Sequence, residues 1–325
     1  MSRHSENQAP GIPTQLHDEN EVPENPIEMP VEKHGRHFWP DGNLYIQAIT
    51  DSEPRKKILF RVHKSLLSAH SPFFRTMFTL PAPAHLEENL HANSEACPIE
   101  APLGMSAEKL SDLMDMLLFQ FEEDITESAE KLINVLDLST RYDIPQARKW
   151  AIRHLSKLNM HDINRFILAK THRVEAWIDK AFEAIIRTPL SDLVYPQREL
   201  IGDKAILIAA TIRERLQLHY KRVAIHPPPF HHHPSCTNEE LCEQSWTQIW
   251  WTQIANRLLH YDDTVRISLD QLHRWIDDLP KPDVSPECQK NCAENVDLAS
   301  EAEKQIIKMG IDMFRDMEGV STWNE

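Results

Sequence analysis

Residues 41–78 constrain the fold more than any other part of the chain, because their hydrophobic period changes from that of strands to that of helices. Two segments alternate apolar and polar side chains, and turn-forming residues at positions 51–54 separate them. This pattern predicts a β-hairpin with one half-buried face. Its inward side chains are expected to be Leu44, Ile46 and Ala48 on the first strand, and Ile58, Phe60 and Val62 on the second.

Two short helices are predicted immediately after the hairpin. Ser71 offers an N-cap side chain to the second helix, and Pro72 fits its first position, where the missing N–H would have no partner in any case. The second helix carries more apolar bulk within two turns than a helix exposed to water would present. The residues concerned are Phe73, Phe74, Met77 and Phe78.

The order strand, strand, helix, helix and the run FRVHKSLLSAHSPFFRTMF at residues 60–78 resemble the start of a BTB/POZ domain. A short extended segment and three further helical patterns continue this layout to about residue 157. The likeness is closest to fungal BTB proteins with an acidic tail and an extended helical carboxyl half. It implies an α+β fold, in which a small sheet flanked by a helix cluster precedes a mostly α-helical C-terminal region.

Composition divides the chain into five segments. The first is rich in Pro, Glu, Asn and His and has no hydrophobic period, which predicts a disordered acidic tail. A proline- and histidine-rich stretch later in the chain is typical of a linker. The expected segments are the tail at 1–36, the BTB/POZ domain at 37–157, a helical extension at 158–225, the Pro/His-rich linker at 226–236 and a C-terminal helical region at 237–325.

The scarcity of glycine argues against several large enzyme classes. Only seven glycines occur in 325 residues, and no pair has the spacing of a dinucleotide fingerprint or a P-loop. The sequence also lacks the Gly-x-Ser-x-Gly elbow of many hydrolases. We therefore expect no catalytic residues and a protein that is not an enzyme.

Charge and cysteine content bear on partners and location. A formal net charge of −15 repels phosphate, so nucleic acid is not an expected partner. The longest apolar stretch is too short to span a bilayer, and the amino terminus lacks the apolar segment of a secretory signal. The five cysteines are an odd number in a chain long enough to need no disulfides, which favours a reducing compartment. We expect an intracellular protein, cytoplasmic or nuclear, with no membrane partner.

Four of the cysteines form two close pairs, separated by about fifty residues. Four thiolates could bind a zinc ion tetrahedrally and clip the C-terminal helices together. The spacings are C-x5-C and C-x3-C, and His231, His232 or His233 could replace one cysteine. The alternative is a set of ordinary reduced thiols beside a histidine-rich loop. The candidate ligands are Cys236, Cys242, Cys288 and Cys292.

The resemblance to BTB/POZ domains implies roles for other residues. Such domains commonly dimerise through their first helices, so the apolar cluster of the second helix would contribute to a self-association surface. His63 matches a position that is usually histidine in the family, where it looks structural, at the strand–helix junction. Leu86 and Glu88 fit the hydrophobic-x-Glu motif through which some members recruit a cullin. The alternative for this motif is a solvent-facing helix start in an acidic loop.

These observations predict a protein-interaction adaptor or scaffold that forms a homodimer through a BTB/POZ domain. The carboxyl helices would select a protein client, which the sequence does not identify. One alternative is a substrate adaptor of a cullin-RING ubiquitin ligase, with a cullin as partner. The other is a nuclear transcriptional regulator that a structural zinc ion stabilises.

Overall fold

This computed structural model describes residues 29–80, 94–119, 128–227, 229–260, 267–294 and 296–323. These residues form two compact units. The first comprises the described parts of residues 1–67 and 78–111, and the second comprises those of residues 68–77 and 112–325.

The first unit contains a four-stranded mixed sheet, formed by β1 (Val31–Phe38), β2 (Leu44–Ile49), β3 (Lys57–Val62) and β4 (Ile99–Glu100). The strand order is β1-β3-β2-β4. β2 and β3 pair in antiparallel orientation, which confirms the predicted hairpin. β1 pairs with β3, and β4 pairs with β2, in parallel orientation.

The hairpin buries nearly all of the side chains that the alternation predicts. All three inward residues of β2 are buried, and so are Phe60 and Val62 on β3, whereas Ile58 is only partly buried. Leu59, which the alternation places on the opposite face, is also buried, with 2% of its surface exposed. β3 is therefore covered on both of its faces.

Strand β1 begins at Val31, inside the segment predicted as a disordered tail, so the predicted boundary at residue 36 was wrong. Its sequence VEKHGRHF lacks a hydrophobic alternation, and of its side chains only His37 is buried. Backbone pairing with β3 holds the strand, and the ring of His34 stacks on Phe60 with centroids 4.5 Å apart. Because backbone hydrogen bonds carry no side-chain pattern, the hydrophobic period could not reveal this strand.

Most described residues outside the sheet are helical. The helices are α1 Lys64–His70, α2 Pro72–Thr79, α3 Ala107–Phe119, α4 Ala129–Arg141, α5 Pro145–Lys157, α6 Asp162–His172, α7 Ile178–Arg187, α8 Tyr195–Ile201, α9 Asp203–Ile225, α10 Glu239–Ile249, α11 Ala255–Leu258, α12 Leu269–Asp278, α13 Pro286–Gln289, α14 Asn291–Glu294 and α15 Asp297–Glu318. A π-helical turn at Trp250–Ile254 joins α10 to α11. Within the described ranges, no helix combines the length and the apolar character needed to cross a membrane. The expected α+β class with a helical C-terminal region is confirmed.

Two arginines cap neighbouring helices reciprocally in the second unit. Arg148 on α5 donates to the carbonyl oxygens of His172 and Arg173 at the end of α6, at 2.8 and 3.0 Å. Arg165 on α6 donates to the carbonyl oxygen of Leu158 just beyond α5, at 2.9 Å. The last carbonyls of a helix have no partner within the helix, so each guanidinium satisfies groups that would otherwise be unpaired.

Three phenylalanines form the aromatic centre of the second unit. The ring centroids of Phe166, Phe182 and Phe314 lie 4.5 to 5.5 Å apart, and all three side chains are fully buried. One turn before Phe314, Gly310 lets α15 approach α9 closely. A Cβ at this glycine would lie only 2.7 Å from Cγ1 of Ile212. The packing of α15 therefore depends on the absence of a side chain at position 310.

A buried carboxylate ties α15 to three other helices. Glu303 is 1% exposed, and its Oε1 accepts hydrogen bonds from Arg187 of α7 at 2.9 Å and from the Tyr220 hydroxyl of α9 at 3.0 Å. Its Oε2 accepts from the N–H of Leu269, the first residue of α12, at 2.9 Å. Burial and the adjacent carboxylate raise the pKa of Tyr220, which therefore stays a donor. Since a buried charge is tolerated only when its partners satisfy it, this network accounts for the position of Glu303 in the core.

Replacing Gly310 with alanine should destabilise the second unit. The added Cβ would meet the buried side chain of Ile212, and overpacking of a core costs about 1–3 kcal/mol. We expect the free energy of unfolding, measured by urea denaturation, to fall by that amount. Gly35→Ala is the matched control, because a Cβ at Gly35 meets nothing within 4 Å. Equal losses in the two variants would contradict the close approach of α15 to α9.

Replacing Glu303 with glutamine should also lower stability, because Arg187 loses its buried counter-charge. We expect a loss of about 1–3 kcal/mol, which is less than for a fully buried pair because 36% of the Arg187 side chain is exposed. Glu183→Gln is the control, since Glu183 pairs with the same arginine at 2.9 Å from the preceding turn of α7. That exposed pair should contribute only about 0.3–0.5 kcal/mol. Thermal unfolding of both variants checks the difference, and a larger loss for Glu183→Gln would refute it.

Candidate functional site

The helix pair that follows the hairpin is anchored by one buried serine. Ser71 accepts a hydrogen bond from the N–H of Phe74 at 3.1 Å, so it is the N-cap that the sequence predicts. Its hydroxyl also donates to the carbonyl oxygen of Tyr142, at 2.6 Å. Ser71 therefore fixes the start of α2 against the end of α4.

The four apolar residues of α2 are divided between the core and the surface. Phe74 is 7% exposed and stacks on Tyr142 with ring centroids 5.2 Å apart. Phe73 and Met77 are 45% and 37% exposed, and they lie one turn apart on the same face of α2. Phe78 is partly buried. We refer to Phe73 and Met77 together as the Phe73–Met77 surface.

His63 lies at the junction between β3 and α1. Its ring stacks on Trp39 with centroids 5.4 Å apart, and its Nε2 is 3.4 Å from the carboxylate of Asp41. Its carbonyl oxygen accepts from the N–H of Leu66 at 3.2 Å, in the first turn of α1. The ring thus contacts an indole and a carboxylate. The structural role of His63 stays a prediction.

A second concentration of candidate residues lies in the C-terminal helical region. The ligand atoms of His232, Cys236, Cys242 and Cys288 lie within 4.8 Å of one another, and we call this set the thiol cluster. The Sγ atoms of Cys236 and Cys242 are 3.6 Å apart. Cys242 and Cys288 are buried, whereas His232 and Cys236 are partly exposed. The structure therefore brings together three of the four predicted cysteines.

Two helix caps position the buried thiols. Asn238 accepts a hydrogen bond from the N–H of Leu241 at 3.1 Å and starts α10, which carries Cys242 on its inner face. Ser285 accepts from the N–H of Cys288 at 3.4 Å and starts α13. Asn and Ser are among the side chains preferred at such caps, so the local sequence helps to direct both thiols to one point.

The stretch at 226–236 was expected to be a linker. Its described residues, 226–227 and 229–236, have no regular secondary structure but pack against the helices beside them. The carbonyl oxygen of His231 accepts a hydrogen bond from the side chain of Asn291 on α14, at 3.0 Å. The ring of Phe230 stacks on Trp246 of α10, with centroids 6.0 Å apart. These contacts bring His232 and Cys236 to the buried thiols.

Hydrogen-bond donors surround the sulfur atoms of the thiol cluster. The N–H of His233 donates to Cys288 at 3.3 Å, and the N–H of Ser285 donates to Cys242 at 3.2 Å. The Ser285 hydroxyl lies 3.9 Å from the Sγ of Cys236. Burial alone would raise the pKa of Cys288, but several hydrogen bonds, the largest from Ser285 and His233, together outweigh it and lower the pKa to about 7. Donors of this kind stabilise thiolates, the form in which cysteine binds metals.

Cys292 lies outside the thiol cluster, which corrects the predicted ligand set. Its Sγ donates to the carbonyl oxygen of Cys288 at 3.6 Å. Burial raises its pKa to about 12, so the thiol stays protonated. The fourth member of the cluster is instead His232, one of the three histidines that the sequence offers as a substitute. The C-x3-C spacing places both thiols near one helix turn, but only Cys288 reaches the other ligands.

Strand β3, the capped helix pair and the helices after it up to α5 coincide with one known family. Residues 53–158 match the sequence model of the BTB/POZ domain. No curated protein matches the chain. The BTB/POZ match ends one residue beyond the expected end at 157, and it begins in the hairpin turn, so β1 and β2 precede the matched residues. The narrower likeness to fungal members stays a prediction.

The predicted BTB/POZ site residues differ in what the structure describes of them. Leu86 and Glu88, the expected cullin motif, lie outside the described residues. The Phe73–Met77 surface lies within the matched BTB/POZ residues, whereas the thiol cluster lies beyond them. Sequence reasoning missed Glu303, because a glutamate in a polar helical segment gives no sign of burial.

Replacing Ser71 with alanine should loosen α2 within the BTB/POZ domain. The change removes the N-cap and leaves the carbonyl oxygen of Tyr142 without its hydroxyl donor, for a loss of about 1–3 kcal/mol. We expect that loss in chemical unfolding followed by circular dichroism. Ser65→Ala, at an exposed position on α1, should be nearly neutral. A neutral Ser71→Ala variant would contradict the anchoring role of this serine.

Proposed function

We propose that this protein is a non-enzymatic interaction adaptor that self-associates through its BTB/POZ domain. The observation that supports it is the family match over residues 53–158, because the BTB/POZ domain is a protein-interaction module. The helical C-terminal region would then present the surface that selects a client protein.

The Phe73–Met77 surface is the part of the domain that we propose for self-association. Phe73 and Met77 expose apolar area at neighbouring positions of α2. The hydrogen bonds of Ser71 fix the start of their helix against the end of α4. Burial of such a surface against its own copy around a twofold axis removes apolar area from water on both protomers. Phe74, which is already buried against Tyr142, would form the core packing beneath this interface.

The absence of enzymatic activity is part of the proposal, and the cleft of the second unit supports it. This cleft has a volume of about 660 Å³ and is lined mainly by charged and polar side chains. Two of its lining pairs are already engaged with each other: Arg187 with Glu303 at 2.9 Å, and Lys304 with Asp270 at 3.9 Å. Ion-pair networks that hold a fold together also perturb pKa values, so the raised pKa of Tyr220 in this cleft fits a structural role and is not by itself a sign of acid–base chemistry.

The two alternative functions differ in how much structural support they have. Cullin recruitment rests on Leu86 and Glu88, which lie outside the described residues, so no contact of the structure favours it. The zinc-stabilised nuclear regulator is favoured in one respect by the thiol cluster, which supports the metal. The nuclear role has no such support, and a net charge of −15 opposes contact with nucleic acid.

Charge introduced into the Phe73–Met77 surface should abolish self-association. At tens of micromolar, sedimentation equilibrium of the full chain should give twice the monomer mass of 37.8 kDa. Phe73→Glu and Met77→Glu should each give the monomer mass, because burial of an unpaired carboxylate in an interface carries a large desolvation penalty.

The matched control is Leu207→Glu, which places the same charge at a residue on α9 that is 68% exposed. It should remain dimeric, and near-ultraviolet circular dichroism should show all three variants folded. A monomeric wild-type chain, or a dimer that tolerates both α2 variants, would refute the proposed interface.

A further inference from the structure

We infer that the thiol cluster is a structural zinc site with three cysteine ligands and one histidine ligand: His232, Cys236, Cys242 and Cys288. This assignment differs from the four-cysteine set predicted from the sequence. It is independent of self-association, because the ligands lie outside the residues of the BTB/POZ match.

The spacing of the ligand atoms fits a tetrahedral ion. With zinc–sulfur bonds of about 2.3 Å, a regular tetrahedron places its sulfur atoms about 3.8 Å apart. The Sγ atoms of Cys236 and Cys242 are 3.6 Å apart, and all four ligand atoms lie within 4.8 Å of one another. Binding would require the widest pair to contract slightly, which side-chain rotation can provide without moving the helices.

Two of the sulfurs lie where water could not balance the charge of a thiolate. Cys242 and Cys288 are 2% and 0% exposed, so as thiolates they would need a cation beside them. Backbone N–H groups of Ser285 and His233 donate to these two sulfurs. Such contacts form the outer shell that orients metal ligands, and a dication would compensate the charge of three thiolates.

The imidazole of His232 gives an independent indication of a ligand. Its Nδ1 is buried and has no hydrogen-bond partner among the described residues. A buried polar atom without a partner is costly, and a bound ion is one of the explanations that such atoms have in folded proteins. The ring lies beside three sulfurs, where a bound metal would explain why it is turned into the protein.

The donor set selects the metal and its role. Thiolate and imidazole together suit zinc, whereas calcium and magnesium require oxygen ligands. Four protein ligands fill a tetrahedral shell and leave no position for a substrate, so the site is structural. The ion would join the loop before α10 to α10 itself and to α13 across more than fifty residues of sequence, and its binding would contribute directly to folding.

Metal analysis of the purified full chain tests the inference. Protein produced with zinc in the medium should carry about one zinc ion per chain, which elemental mass spectrometry would measure. Cys242→Ser and Cys288→Ser should each lower the retained zinc at least about tenfold after dialysis against a chelator. Cys292→Ser and Cys97→Ser are matched controls, and both should retain the zinc of the unchanged chain.

Two further measurements keep the test decisive if a ligand variant fails to fold. The unchanged chain with Co²⁺ in place of zinc should show the thiolate charge-transfer and visible bands of a tetrahedral site. His232→Cys should keep the metal and strengthen the charge-transfer band, because it adds a fourth thiolate. Zinc retained in Cys242→Ser but lost in Cys292→Ser would overturn the ligand set. A chain without zinc that binds no Co²⁺, or one that joins Cys236 to Cys242 by a disulfide under reducing conditions, would overturn the site itself.

Discussion

The carboxylate of Glu303 is the interaction on which the second unit depends. Apolar packing around Phe166, Phe182 and Phe314 draws helices together, but it tolerates small shifts along their axes. A buried carboxylate is more demanding, because its acceptors are satisfied only when every donor is in place. The donors of Glu303 come from α7, α9 and α12, so one side chain of α15 sets the position of helices that are far apart in sequence.

Polar contacts of the same kind organise the thiol cluster on a smaller scale. The helix caps at Asn238 and Ser285 position two buried thiols, and the loop before α10 places His232 and Cys236 beside them. None of the described residues of this loop is buried, so hydrophobic burial alone would hold it weakly. Ligand bonds to a metal would supply what the small apolar contact lacks.

The sequence predicts the features that depend on a local hydrophobic repeat or on a short motif. The hairpin and the N-cap at Ser71 were predicted correctly because each depends on neighbours within a few residues. β1 escaped prediction because parallel pairing holds a strand with almost no buried side chains. Glu303 and the choice of His232 over Cys292 depend on contacts between distant segments, which no local spacing encodes. The sequence therefore limits the candidate metal ligands to a short set. Contacts between distant segments of the fold decide which of them lie close together.

The hydrogen bonds of Arg148 and Arg165 bear on where the chain can be truncated without losing contacts. The family match ends at residue 158, between α5 and α6. Arg148 nevertheless finds its acceptors beyond that point, and Arg165 reaches back across it. In the intact chain Arg148 is only 9% exposed, and a protein that ended at residue 158 would lack two of its acceptors and the donor at the end of α5. The boundary of the recognisable domain thus does not coincide with the boundary of its contacts: a piece that contains α5 keeps these hydrogen bonds only when it continues at least through Arg173.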